Sequence, residues 1–276
     1  MFTVAYLGPE HTNTHVAAQK RFGRGSRYRH APTVDDVFHL VERRQADYGV
    51  VPIENSLEGA VTHTLDRFID FVDTPVRIHG EIEQPIRHCL LLARGASPAT
   101  VKLVLSHPQA LAQCHQWIAR NLPRAALRET NSTADAVSHL LQNRRARAAI
   151  GRAELAAPHR LRAISIPDER DNKTRFLILG RGEPARGRRS KTSILLALKD
   201  KPGALHDALM PFKRERINLT KIESRPSKRK AWEYLFFIDV EGHESEPRVQ
   251  RALKALKRST SLLRILGSYP VATRSR

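Results

Sequence analysis

Asp47-Tyr48-Gly49-Val50-Val51-Pro52-Ile53-Glu54-Asn55-Ser56 is a short apolar run that meets a proline and opens into polar residues. Asp47 to Val51 reads as a strand ending at Pro52. Downstream, Leu57, Val61, Leu65, Phe68 and Ile69 recur at helical spacing, so the sequence predicts a helix from Leu57 to Phe71. Strand, polar loop and amphipathic helix in that order are the repeating unit of an α/β domain.

The same alternation extends in both directions. Thr3 to Leu7 reads as a strand stopping at Gly8-Pro9, and His11 to Phe22 as a helix that Thr12 or Asn13 can cap. Cys89–Ala93, Val101–Leu105, Ala148–Gly151 and Phe176–Gly180 read as strands, with helices near Ala110–Asn121 and Thr133–Gln142. An α/β domain with largely parallel pairing is expected over residues 1–183. Ligands of such domains bind beyond the carboxyl ends of strands. Pro9-Glu10, Pro52-Ile53-Glu54-Asn55 and Ser106-His107-Pro108-Gln109 all fall at such ends, which predicts one convergent cleft.

Glu183 to Lys191 is rich in Gly, Pro and Arg, and residues 184–191 read as a linker. The tail, residues 192–276, is a second domain. Strands at 192–198, 217–223, 232–240 and 262–267 and helices at 204–215 and 247–258 give the order βαββαβ, a ferredoxin-like fold.

Composition narrows the function. The 276 residues are 41% hydrophobic, enough for a folded two-domain chain. No run approaches a membrane span, and the N-terminus lacks a basic leader. Cys89 and Cys114 form neither a metal-ligand spacing nor a disulfide framework, so no metal is expected and a reduced, cytoplasmic protein is. Lys and Arg number 47 against 28 Asp and Glu, giving 47 − 28 = +19. The basic runs Arg144–Arg147, Arg186–Lys191 and Lys228–Lys230 fall in expected loops with few aromatics nearby. They read as solvated surface that draws in small anions rather than as a nucleic-acid site.

Several segments can carry chemistry. Asn55 or Ser56 can cap the following helix, and a helix N-terminus also suits an anionic group. Pro108 suits a first helical turn, with Gln109 beside it and His107 able to act as an acid or as a structural residue. Ser132 or Thr133 can cap the helix after Thr130-Asn131.

Val51–Ser56, Ser106–Leu111 and Asp171-Asn172-Lys173-Thr174-Arg175-Phe176, followed by Glu223-Ser224-Arg225-Pro226, together make the chain resemble the prephenate dehydratases over nearly its whole length. The tail resembles the ACT domain, the regulatory module of amino-acid enzymes. The resemblance implies two α/β subdomains around a cleft, similar to periplasmic binding proteins, with chain crossings near residues 80 and 160. It implies the monofunctional form, with no chorismate mutase segment ahead of Met1. It also implies decarboxylating dehydration of prephenate to phenylpyruvate in phenylalanine synthesis, without a cofactor because aromatisation drives the reaction.

By the same resemblance Thr174, Glu54, Asn55 and Gln109 are catalytic. Arg175, Ser56, Ser106, Thr12, Ser132 and Phe176 contact substrate, Phe176 by packing beneath the site. The chemistry fits these types. A placed Thr174 hydroxyl can hydrogen-bond the departing oxygen, an Arg175 fork can hold a carboxylate, and Glu54 can donate a proton if burial raises its pKa. Gly8–Thr14 departs from the family pattern: His11 stands where glycine is usual and Asn13 where an aromatic residue is usual. His11 narrows the backbone geometry there.

In the tail, Gly203, Ala204 and Leu205, with Asn218 and Leu219 and with Glu223, Ser224, Arg225 and Pro226, match the phenylalanine-binding signatures of ACT domains. Phenylalanine as effector and a homodimer or homotetramer follow from the resemblance. Three rivals stand beside it: the same reaction on arogenate, a non-catalytic sensor of phenylalanine or aromatic acids, and a nucleic-acid binder that only the +19 charge motivates. No nucleic-acid or membrane partner is expected.

Overall fold

The computed structural model describes residues 1–142, 148–169, 171–227 and 233–272. The basic runs at 144–147 and 228–230, and the predicted strand start at Trp232, lie outside these residues. The chain forms two compact units: residues 1–7, 17–83 and 175–276 make the first, and residues 8–16 and 84–174 the second.

The first unit opens with β1 (Thr3–Leu7), α1 (Asn13–Phe22, whose first turn belongs to the second unit), β2 (Arg27–Ala31), α2 (Val34–Glu42), β3 (Tyr48–Asn55), β4 (Gly59–Ala60), α3 (Thr62–Asp70) and β5 (Val76–Pro85). β1 runs parallel to both β2 and β3. α2 starts where Thr33 and Asp36 satisfy each other's backbone N–H groups in a capping box, and it buries Val34, Val37, Phe38, Leu40 and Val41.

Two expectations change here. β3 continues through Pro52 to Asn55, beyond the Tyr48–Val50 stretch that pairs with β1. The predicted helix from Leu57 begins only at Thr62. Residues 56–58 instead close a hairpin in which Glu54 faces Ala60 and Asn55 faces Gly59. Asn55 Oδ1 accepts the N–H groups of Leu57 (3.0 Å) and Glu58 (3.2 Å), and Gly59 takes φ +81°, open mainly to glycine.

The second unit contains β6 (Cys89–Leu92), β7 (Leu103–Ser106), α4 (Pro108–Gln113), α5 (His115–Asn121), β8 (Ala126–Glu129), α6 (Thr133–Gln142), β9 (Ala148–Gly151) and β10 (Arg162–Ser165). Its sheet runs β10-β6-β9-β7-β8. β7 is parallel to β8 and β9, whereas β6 is antiparallel to β9 and β10, so the pairing is mixed. The family resemblance implies a return of the chain near residue 160. It comes between Thr174 and Arg175, because residues 162–165 still pair with β6 in this sheet.

The return is β11 (Lys173–Arg181), which completes the first unit's sheet in the order β2-β1-β3-β11-β5. The tail follows as β12 (Ser190–Leu198), α7 (Ala204–Arg214), β13 (Leu219–Pro226), β14 (Tyr234–Glu241), α8 (Pro247–Ser259) and β15 (Thr260–Pro270). The order β13-β14-β12-β15 is the ferredoxin-like arrangement. β12 starts inside the stretch read as a linker.

Both faces of the central strands β12 and β14 are buried. Ile194, Leu196, Ile238 and Val240 pack on one side with Phe212, Val249, Leu253 and Leu256 of α7 and α8. The alternate residues Leu195, Ala197, Leu235 and Phe237 join Ile53, Leu65, Phe68, Ile78 and Leu177 in a shared core. Each such buried Leu, Ile or Phe contributes about 1.5–3 kcal/mol, so the tail is anchored to the first unit rather than tethered to it. Gly267 marks the closest approach: a Cβ there would lie 2.2 Å from the Ile78 carbonyl oxygen.

Candidate functional site

In the first unit the site begins at the β3–β4 hairpin. Its turn is held by Asn55, which is buried, while Ser56 is exposed at the tip. Glu54, just before the turn, has its carboxylate between two cations: Oε2 is 3.2 Å from Arg175 Nη2 and Oε1 is 3.2 Å from Lys221 Nζ. Lys221 belongs to β13, so the tail supplies one of the two cations.

Arg175 is where the sequence reading and the structure differ most. Successive side chains leave a strand on opposite faces. Thr174 and Phe176 therefore share one face of β11, and Arg175 takes the other. Its guanidinium reaches Glu54, Glu81 Oε2 (3.2 Å) and Asp239 Oδ2 (2.7 Å). The fork assigned to a substrate carboxylate is occupied by three carboxylates of the chain itself. Burial alone would lower the Arg175 pKa, but Asp239 and Glu81 outweigh it and hold the pKa above the ordinary arginine value.

The cluster extends into the tail. Glu81, with a fully buried side chain, also accepts from Lys191 Nζ (3.1 Å) and the Ala272 N–H (3.1 Å). Lys191, read from the sequence as loop surface, is thus a structural cation on β12. Asp239 Oδ1 accepts from Ser193 Oγ (2.6 Å), which lies 2.8 Å from Tyr269 Oη. Burial, reinforced by Asp239 and Glu81, pushes the Tyr269 phenol well up. Glu54, Glu81 and Asp239 give −3 and Arg175, Lys191 and Lys221 give +3, so 3 − 3 = 0. A balanced set is the form in which buried charges are tolerated.

Phe176 packs with Val4, Tyr6, Val50, Ile82 and Ile178 and is a core residue. In the second unit Thr12 caps α1, its Oγ1 accepting the His15 N–H at 3.3 Å. Ser106 is fully buried and donates to the Ile150 carbonyl at 2.8 Å, so its hydroxyl joins β7 to β9 instead of standing open to a ligand. His107 is the N-cap of α4: its Nδ1 accepts the Gln109 N–H at 3.3 Å, and burial lowers its pKa. Gln109 is half-buried on the first turn. Ser132, rather than Thr133, caps α6 through the Asp135 N–H (3.0 Å).

The segment leading to Thr174 is pinned. Asn172 is buried, donates from Nδ2 to Gln113 Oε1 (2.8 Å), and accepts the Ile86 N–H on its carbonyl (2.9 Å). His88 Nε2 shares the same Gln113 oxygen at 2.9 Å and therefore donates to it. Gln113 escaped the sequence reading, although it stands four residues after Gln109 and so on the same helix face. Lys221 and Asp239 escaped it too; their only signal was strand alternation from Glu223 and from Val240.

The effector candidates divide by position. Gly203 has φ +76° and starts α7, leaving Gly203 and Leu205 exposed. The Asn218 carbonyl accepts the Glu241 N–H at 2.9 Å, and Leu219 packs on the helical core. On β13, Ser224 and Pro226 lie on the exposed face, whereas Glu223 and Arg225 lie on the other. Arg225 pairs with Asp66 of α3 at 3.1 Å, so its charge is turned toward that helix.

Residues 4–184 match the family described as prephenate dehydratase, and residues 192–258 match the ACT domain. The bifunctional chorismate mutase/prephenate dehydratase of Aquifex aeolicus is 48% identical over 270 residues, covering 98% of this chain and 74% of that protein. The prephenate dehydratase of Amycolatopsis methanolica is 38% identical over 275 residues, covering 98% of this chain and 88% of that protein. The crystal structure of prephenate dehydratase in complex with L-Phe from Arthrobacter aurescens has a TM-score of 0.89 at 35% identity, covering 98% of this chain and 90% of that one.

Proposed function

The chain belongs to the prephenate dehydratase family and carries an ACT domain, and from that premise we propose that it converts prephenate to phenylpyruvate under regulation by phenylalanine. The observation that carries this reading is the likeness, over 98% of the chain, to a prephenate dehydratase whose crystal structure is a complex with L-Phe.

In the reaction the ring carboxylate leaves as carbon dioxide and its bonding electrons enter the ring. The ring hydroxyl departs, takes up one proton and becomes water. Thr174 donates a hydrogen bond to the departing oxygen, where negative charge develops. The Asn172–Gln113–His88 bonds hold the segment that presents it. Glu54, ion-paired with Arg175 and Lys221, keeps 37% of its side chain exposed, and the proton that completes the water comes from solvent. Gln109 and Thr12 are the polar groups proposed to orient the substrate. Arg175 acts as the strut behind Glu54.

Phenylalanine binds the exposed turn at Gly203–Leu205 and the exposed face of β13 at Ser224 and Pro226. β13 is also a sheet edge, and Ile222 on it and Tyr234 beside it leave apolar surface exposed. Such an edge invites pairing, and a second copy of the chain is the proposed partner.

The test is phenylpyruvate formation by purified protein, with Thr174→Ala beside it. Loss of one such donor costs about 100-fold in kcat. Wild-type turnover in the variant removes Thr174 from the mechanism. A faster reaction on arogenate than on prephenate redefines the substrate. Absence of turnover on both, with calorimetric binding of phenylalanine, makes the chain a sensor.

A further inference from the structure

We propose that Lys221 is a positioning residue for Glu54, and that β13 carries the occupancy of the phenylalanine site to the catalytic domain; this deepens the function proposed above and rests on it. The two faces of β13 do different work. One exposes Ser224 and Pro226. The other sends Lys221 to Glu54 (3.2 Å) and Arg225 to Asp66 (3.1 Å), two carboxylates of the catalytic segment. Glu54 lies directly before the Asn55 turn, and Asp66 is on α3, the helix that follows the hairpin.

Strand alternation is fixed by the backbone, so β13 cannot shift at its exposed face without carrying Lys221 and Arg225 with it. The Lys221 side chain is only 8% exposed. If it withdraws, its ammonium loses its partner in a largely desolvated place, and Glu54 keeps Arg175 alone. Arg175 is itself shared with Glu81 and Asp239. Two arrangements of this kind, with different affinities for the effector, are what coupling between two sites requires.

The experiment compares wild type, Lys221→Met and Lys221→Arg by steady-state phenylpyruvate formation, with and without saturating phenylalanine, and by calorimetry with phenylalanine. In Lys221→Met the phenylalanine Kd should stay within about threefold of wild type, kcat should fall about tenfold, and the ratio of rates with and without phenylalanine should come within about twofold of one. Lys221→Arg restores the charge and should recover much of both effects, which separates positioning from general damage. A Lys221→Met enzyme with wild-type kcat and the full phenylalanine response overturns the proposal alone. Wild-type protein that turns over prephenate but binds no phenylalanine overturns the effector reading, and the relay with it.

Discussion

Arg175 Nη1 and Asp239 Oδ2 lie 2.7 Å apart across 64 residues of sequence, one in the catalytic domain and the other in the ACT domain. The pair is buried, and Ser193 fixes the second Asp239 oxygen. Asp239→Asn keeps the shape but leaves the neutral six-charge cluster with a surplus cation. Stripping one partner from a buried pair costs about 3–5 kcal/mol, so the urea midpoint should fall sharply. Because the ACT sheet and the catalytic core share one apolar cluster, both domains should lose structure in a single transition. An unchanged midpoint would mean that the pair contributes nothing net.

How much of this was legible in the sequence differs from one element to the next. The βαββαβ order of the tail was, because each strand and helix carries its own period. The strand at Thr3–Leu7 and the helix at Thr133–Gln142 were legible for the same reason. The hairpin at 56–58 was not: Leu57 and Val61 fit a helical period, and only the Asn55 and Gly59 pair signals the turn. The direction of Arg175 could have been inferred, since adjacent residues of one strand cannot both face one ligand. Its partners could not, because Glu81 and Asp239 are brought to it by packing over 94 and 64 residues.

Gly267 tests the same domain contact without touching charge. Its missing Cβ leaves room for the Ile78 backbone, whose oxygen and nitrogen would lie 2.2 and 2.9 Å from an added carbon. A backbone neighbour cannot rotate away as a side chain can. Gly267→Ala should therefore destabilise by about 1–3 kcal/mol or more as β15 is forced off β5. Thermal melting reads this, and a wild-type midpoint would show that the strands separate freely.

His11 holds φ +65°, the left-handed region, at the position where the family usually has glycine. A side chain there costs about 1–2 kcal/mol, while glycine pays about 0.5–1 kcal/mol in lost backbone freedom. His11→Gly should thus stabilise by ~0.5–1 kcal/mol. It also removes the imidazole that, after burial, contributes to lowering the His15 pKa. A drop in melting temperature would show that the bond from the His11 N–H to His15 Nδ1 (3.0 Å) depends on the His11 side chain.

Acid should weaken the fold in a defined window. Burial lowers the pKa of His79, His88 and His107, and the bond to Gln113 offsets only part of the effect at His88. A histidine whose folded pKa lies below its unfolded value, near 6.5, binds its proton more readily in the unfolded chain. Its stabilising contribution is therefore complete above pH ~6.5 and is lost as the pH falls through the folded value. Each such group adds at most about 1.4 kcal/mol per pH unit within that interval. Urea midpoints should be flat from pH 8 to about 7 and then decline toward pH 5. His88→Gln, which removes one titrating group while keeping a donor for Gln113, should make that decline shallower. An identical slope in the variant would remove His88 as a source of the acid sensitivity.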